Sequence, residues 1–324
     1  MKRTLAAAAA LAAVAGIAAL RAQAVTVDPA LPSYQKVSGV SGSINSVGSD
    51  TMNNLMTLWA ETFRKYYPNV KIQVEGKGSS TAPPALIAGT SQFGPMSRQM
   101  RSTEIDQFEQ RHGYKPTEVK TSYDALAVYV NKDNPIKQLT LAEVEAIFSK
   151  SRRRGHKENI ATWGQLGLTG EWASRPLSLY GRNSASGTYG FFKEHTLKNG
   201  DYKDTVKEQP GSASVVQGVT EDRYAIGYSG IGYRTSGVRA VPLAETGKGP
   251  YSDGNYEDVK SGKYPLWRFL YVYINKAPGT PLDPLVAEFV KLIYSKEGQD
   301  VVVKDGYDPL PAEIAKQELA KILR

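Results

Sequence analysis

Apolar residues follow two alternating periods along most of the chain. Residues 43–47 and 70–75 read as short strands, the second with Val70, Ile72 and Val74 on one face. Between them Met52, Leu55, Met56, Trp59, Phe63 and Tyr67 recur at helical spacing until Pro68 ends the pattern. A second helix is predicted over 83–88 and a short strand over 92–96. A third helix, capped by Ser102 and carrying Ile105 and Phe108, ends at Gly113. Three such strand and helix units imply a parallel sheet covered by helices, the α/β class.

Two later strands are near copies of each other. Residues 126–131 (LAVYVN) and 270–275 (LYVYIN) share a pattern, and each runs into a lysine and a Pro-containing turn. Twin strands this far apart are what a chain shows when it crosses from one lobe to another and returns. The intervening segment has its own elements: a helix after the capping box of Thr140 and Glu143, a strand over 177–180, a helix over 187–197 and a strand over 225–229. A final amphipathic helix is predicted over 285–293.

Charge and composition narrow the function. At the N-terminus Lys2 and Arg3 precede an apolar run over 5–20, followed by Arg21 and the A-x-A triplet Ala22, Gln23 and Ala24. This is the pattern of a secretory signal peptide cleaved after Ala24. A membrane anchor is the alternative, but the alanine-dominated run falls short of the roughly 20 residues a span needs. Cleavage removes Lys2, Arg3 and Arg21 from a chain of net charge +8, leaving 37 basic against 32 acidic residues. No later window approaches 18 apolar residues, so the mature product is expected to be soluble and exported. Its mild basicity suits anionic small molecules, anionic surfaces or nucleic acid alike. The run from Arg152 through Arg153, Arg154 and His156 to Lys157 is the sharpest charge cluster, read as a solvated loop or else a partner patch. With 324 residues and no cysteine, thiol nucleophiles, disulfides and thiolate metal sites are excluded. His112, His156 and His195 are too scattered to suggest a zinc site, so no metal or cofactor is expected.

Four hydroxyl clusters sit where helices are expected to begin: Ser49, Asp50 and Thr51; Ser79, Ser80 and Thr81; Ser97 beside Arg98; and Ser186, Gly187 and Thr188. Each alone is what an N-cap requires. Together they suit several helix N-termini converging on one anion, because free N–H groups and positive dipole ends favour phosphate-like oxygens. Gly48, Gly76, Gly78 and Gly187 would let the backbone approach a ligand closely. Arg182 follows the strand over 177–180 and precedes the last cluster. There a guanidinium can chelate two oxygens of a tetrahedral anion, and a plain surface arginine is the alternative.

The strings GSDTM, GKGSSTAPPALIAG, FGPMSRQM, ALAVYVN, GRNSASGTYGFF, AIGYSGIGY and PLPA, in this order, resemble the periplasmic phosphate-binding proteins that serve ABC transporters. The resemblance spans residues 44–311, and its most specific element is R-x3-S-G-T, Arg182 with Ser186, Gly187 and Thr188. It implies a two-lobed type II periplasmic-binding-protein fold with mixed, mostly parallel sheets flanked by helices and a ligand cleft between the lobes. By position it implies residues 1–24 as signal peptide, 25–122 plus 264–324 as lobe I and 123–263 as lobe II. The hinge falls near 123–127 and 268–271. The implied ligand set is Ser49, Asp50, Thr51, Ser79, Ser80, Ser97, Arg182, Ser186, Gly187 and Thr188. The implied role is binding inorganic phosphate as a monomer in the periplasm and delivering it to an inner-membrane permease, with no catalysis and no nucleic acid.

Two positions depart from the family pattern. Ser97 and Ser184 stand where familiar members carry an Asp that accepts a proton from phosphate and an Asp that tethers the arginine. Asp50 is the replacement acceptor, or else an N-cap. Rival readings are a binding protein for sulfate or molybdate, a phosphomonoesterase that retains its product, and a surface adhesin on the same fold.

Overall fold

The computed structural model describes residues 25–323; the segment expected to be cleaved lies outside the described residues. In chain order the elements are β1 (Ser43–Val47), α1 (Asn53–Tyr66), β2 (Lys71–Glu75), α2 (Ala82–Ile87), β3 (Gly94–Met96) and α3 (Ser102–His112). Next come β4 (Thr117–Asn131), β5 (Leu139–Thr140), α4 (Leu141–Phe148), β6 (Ser178–Arg182), α5 (Gly187–His195), β7 (Lys207–Gln209) and α6 (Ser212–Glu221). The chain continues through β8 (Ala225–Gly230), β9 (Val238–Ala240), β10 (Leu243–Ala244), α7 (Tyr256–Lys260) and β11 (Trp267–Ile274). It closes with α8 (Pro284–Ile293), α9 (Lys296–Lys304) and α10 (Ala312–Leu323). Among these residues no helix is long and apolar enough to cross a membrane.

Helix α1 forms where the spacing places it, burying Leu55, Met56, Trp59 and Phe63 on one face and ending before Pro68. Trp59 Nε1 donates to the Gly298 carbonyl at 2.8 Å, which ties α1 to α9. Helix α3 starts one residue away from its expected cap. Arg101 is the N-cap, and Glu104 turns back to accept its backbone N–H at 2.7 Å. The helix expected over 285–293 is α8, capped by Asp283, but α9 and α10 follow it. Only one residue, Ser295, separates the α8 C-cap Tyr294 from α9, and Ser295 caps α9.

The flanks of the sheet system are parallel and its middle is antiparallel. Strand β1 pairs with β2 in parallel, Phe93 lies beside Ser46 in the same sense, and β6 is parallel to both β7 and β8. The large sheet runs β3-β11-β4-β8-β6-β7, with β9 also on β4. Strands β3, β11, β4 and β8 are successively antiparallel. Strand β4 has 15 residues, about 50 Å at strand rise, and changes partners midway. It pairs with β11 from Thr117 to Ala125 and with β8 from Leu126 to Val130. The twin strings therefore do not pair with each other: Leu270–Ile274 face residues 117–122, while Leu126 onward faces β8. One contiguous buried cluster runs past this changeover. Trp59, Phe63, Phe93 and Phe289 belong to it, as do Phe148, Phe192 and Tyr228, whose ring stacks on Phe192 at 3.9 Å.

The basic run is the solvated loop expected of it at Arg152, Arg153 and Lys157, which are exposed, and only the Arg154 side chain folds inward. The backbone N–H groups of Arg153 and Arg154 donate to the buried Glu145 carboxylate at 2.6 and 2.5 Å. Arg154 then reaches Glu245 at 2.6 Å and the Thr196 carbonyl at 2.8 Å.

Behind the changeover, burial and then Asp124 push the Asp308 carboxyl from its ordinary 3.8 up to about 7. Burial also raises Asp305 to about 6. Both groups keep their protons in the folded chain at pH values where the unfolded chain has lost them. Their contribution to folded stability should therefore decline as pH rises from about 4 and level off above about 7. Asp308→Asn should remove up to about 4 kcal/mol of that decline. Thermal melts of both proteins between pH 4 and 8 check this, and parallel curves would contradict it.

Candidate functional site

The four hydroxyl loops come together. Ser49, Thr51, Ser79, Ser97, Ser186 and Thr188 are all at most 3% exposed. Ser49 Oγ lies 3.0 Å from Ser97 Oγ, Ser79 Oγ lies 3.3 Å from Ser97 Oγ, and Thr51 Oγ1 lies 2.9 Å from Thr188 Oγ1. The first loop is held by its carbonyls: Tyr233 OH donates to Asp50 at 2.9 Å and Tyr307 OH to Thr51 at 2.8 Å. Gly187 is the contact point of the second, third and fourth loops. A Cβ on it would fall 2.3 Å from Ser79 Oγ and 2.7 Å from Ser97 Oγ.

Of the four clusters' residues, only Ser186 acts as a side-chain N-cap, accepting from the N–H groups of Thr188 and Tyr189 at 3.1 and 3.3 Å. Helix α1 is preceded by Met52, so Asp50 is not its cap. Ser79 opens a short 3-10 turn ahead of α2, and Ser97 follows β3 with Arg101 capping α3, so the third cluster is not a helix start. Ser80 stands outside the hydroxyl group. Its N–H and Oγ both donate to the Ala185 carbonyl, at 3.2 and 3.1 Å, fastening the second loop to the fourth. Gly78, at φ 120°, permits that crossing, since a Cβ there would sit 2.5 Å from the same carbonyl oxygen.

Arg182 is 1% exposed at the end of β6. Its Nη1 donates to Ser212 Oγ at 2.7 Å and its Nη2 to the Pro210 carbonyl at 3.0 Å, with Asp50 Oδ2 at 3.2 Å. Its Nε is buried without a partner. Burial pushes the guanidinium pKa down, and Asp50 opposes that shift. Asp50 Oδ2 also accepts the Ser212 N–H at 2.8 Å in the first turn of α6, where a negative charge is favoured. Ser184 is exposed, so the carboxylate beside Arg182 is Asp50.

Sequence reasoning missed three residues: Ser212, Arg268 and Asp124. Arg268 pairs in register with Asp124, the last position but one before β4 leaves β11. Its Nε and Nη2 reach Asp124 Oδ2 at 2.9 and 2.7 Å, Nη2 reaches Thr188 Oγ1 at 3.0 Å, and Nη1 reaches the Ser97 carbonyl at 2.7 Å. The combination is chemically specific. Buried hydroxyls and guanidinium donors surround one place, and no group of His, Asp or Glu among the described residues could hold a metal ion.

The model of the PBP superfamily domain matches residues 34–297. The chain is 57% identical to the phosphate-binding protein PstS of Pseudomonas aeruginosa over 91% of its own length and 92% of that protein. It is 27% identical to the phosphate-binding protein PstS of Staphylococcus haemolyticus, over 84% of this chain and 82% of the relative. Among solved structures, a Clostridium perfringens protein assigned as a phosphate ABC transporter substrate-binding protein, with phosphate bound, superposes with a TM-score of 0.69. That match has 25% identity and covers 83% of this chain and 99% of the other. The fold is thus the two-lobed type II binding-protein fold of transport receptors. The chain belongs to the PBP superfamily and, within it, to the family of periplasmic phosphate-binding proteins of ABC transporters, which are transport receptors and not enzymes.

Proposed function

We propose that this chain binds inorganic phosphate in the periplasm, as a monomer, and delivers it to an inner-membrane ABC permease. The observation that carries the reading is the buried hydroxyl cluster beside Arg182, whose Nε has no partner. Ser49, Thr51, Ser79, Ser97, Ser186 and Thr188 supply O–H donors, Gly187 supplies backbone N–H, and Arg182 supplies charge. Ser80 supports the site through Ala185. Lobe I comprises 25–122 plus 264–324 and lobe II comprises 123–263, with the hinge where β4 exchanges β11 for β8. Closure then brings Arg182 and α5 of one lobe onto the loops of Ser49, Ser79 and Ser97 of the other. The test is calorimetry of the purified protein with phosphate, sulfate and a chromogenic phosphomonoester. Binding heat with phosphate and no chromogen release support the reading; heat with sulfate alone, or steady release of product, would replace it.

Export follows from the leader at 1–24. Intact mass of the periplasmic product should correspond to an N-terminus at Val25, and a product retaining Met1 would contradict the cleavage.

Asp50 takes the place of both family carboxylates in this reading. Its Oδ2 tethers Arg182, and we assign its Oδ1 as acceptor for the proton that phosphate carries and sulfate lacks at neutral pH. Asp50→Asn should weaken phosphate binding about tenfold or more and narrow the phosphate-to-sulfate ratio. Paired titrations at one pH and salt check this, and an unchanged ratio would leave Asp50 as a tether only.

A further inference from the structure

A hydroxyl can donate or accept, so whether it serves an anion depends on what already donates to it. Fixed N–H groups occupy three oxygens of the cluster. The Ser97 N–H donates to Ser79 Oγ at 3.0 Å, and the Thr188 and Tyr189 N–H groups donate to Ser186 Oγ. The donor to the third oxygen is a side chain, Arg268 Nη2, which lies 3.0 Å from Thr188 Oγ1. A guanidinium stays protonated and never accepts. Thr188 must therefore turn its own proton elsewhere, and Thr51 Oγ1, 2.9 Å away, lies on that side.

The direction of the Thr188 proton thus depends on how firmly Arg268 is held. Arg268 is 3% exposed and its partner Asp124 is fully buried. Asp124 Oδ2 accepts from Nε and Nη2 together, and Oδ1 is fixed by the Ile231 N–H at 3.1 Å. Nη1 meanwhile holds the Ser97 carbonyl, so one guanidinium spans the third and fourth loops at the point where β4 changes partners. We propose that Arg268 is a positioning residue of the anion site, anchored by Asp124, which makes the Thr188 hydroxyl an obligate donor to the bound oxyanion. The inference rests on the phosphate reading of the same site and adds a second guanidinium to it.

The competing possibility is an ion pair that only stabilises the strand crossing. A double-mutant cycle of Arg268→Lys with Thr188→Val separates the two, read by phosphate calorimetry and by melting temperature. Lysine keeps the charge but loses the fork that serves Asp124 and Thr188 together. Each single variant should weaken phosphate binding by about tenfold to a hundredfold. On the Thr188→Val background, the lysine change should cost less than about threefold, because the hydroxyl it orients is gone. A lowered melting temperature with wild-type affinity, or losses that multiply in the double variant, would overturn the proposal. If Arg268→Lys does not fold, Asp124→Asn takes its place in the cycle with the same expected signature, and unchanged affinity there would also overturn it. Should the wild type bind sulfate or molybdate instead of phosphate, the phosphate reading fails on that result, and the cycle is run on the anion that binds.

Discussion

Arg182→Ala is expected to cost about 2–5 kcal/mol of phosphate binding, the range for removing one partner of a buried, hydrogen-bonded charge pair. That corresponds to roughly thirtyfold to several thousandfold in affinity. Arg182 is 1% exposed and makes its contacts to Ser212, Pro210 and Asp50 with Nη1 and Nη2, leaving Nε for a ligand. The variant should still fold, because the Asp50 side chain is 22% exposed and can hydrate once its partner is gone. Arg182→Lys should recover only part of the loss, since one ammonium cannot keep the Ser212, Pro210 and Asp50 contacts and also present an N–H to the ligand. Calorimetry reads all three proteins, and wild-type affinity in the alanine variant would move the site away from β6.

Gly187→Ala should be nearly as damaging for a purely steric reason. Alanine favours helices more than glycine does, so the first position of α5 would by itself gain from the change. The new Cβ, however, would lie 2.3 Å from Ser79 Oγ, 2.7 Å from Ser97 Oγ and 2.9 Å from Ser79 Cβ. Those atoms are buried and must move, at a cost of roughly 1–3 kcal/mol for overpacking. Displacing them also spreads the donors that face the anion, so phosphate affinity should fall about fivefold to a hundredfold. Adding Ser79→Gly should recover part of the melting temperature by removing the two Ser79 contacts, with Ser97 Oγ still 2.7 Å from the new Cβ, and should not restore affinity. Unchanged phosphate binding in Gly187→Ala would mean that the three loops do not meet at the anion.

The hydroxyl loops were legible in the sequence because each is short, local and flanked by glycine or the end of a strand. Their convergence was not, since the distance from Thr51 to Thr188 is set by sheet order. The capping role of Ser102 and the alternative reading of Asp50 as a cap both failed at the same level: Arg101 and Met52 occupy those caps, and Asp50 is turned toward α6 by Arg182 and Ser212. Helix α6, which brings Ser212, is rich in β-branched valine and gives little helical signal. A readable sign of the missed pair did exist. The twin strings extend backward as YDALAVYVN and WRFLYVYIN, with Asp124 and Arg268 at the same position and opposite in charge. A charge inside an otherwise apolar strand requires a buried partner, and each copy supplies the other's. Pairing in register makes that match, which the repeat hinted at but could not place.

The central claim is that one oxyanion sits where the four loops meet. The most direct measurement is a crystal structure of the chain from Val25 onward grown with phosphate. The account predicts a tetrahedral anion within hydrogen-bond distance of Ser79, Ser97 and Thr188 hydroxyls and of Arg182, with the Arg268 to Thr188 contact kept. A phosphate bound elsewhere, or a hydroxyl cluster left closed on itself at saturating phosphate, would contradict it.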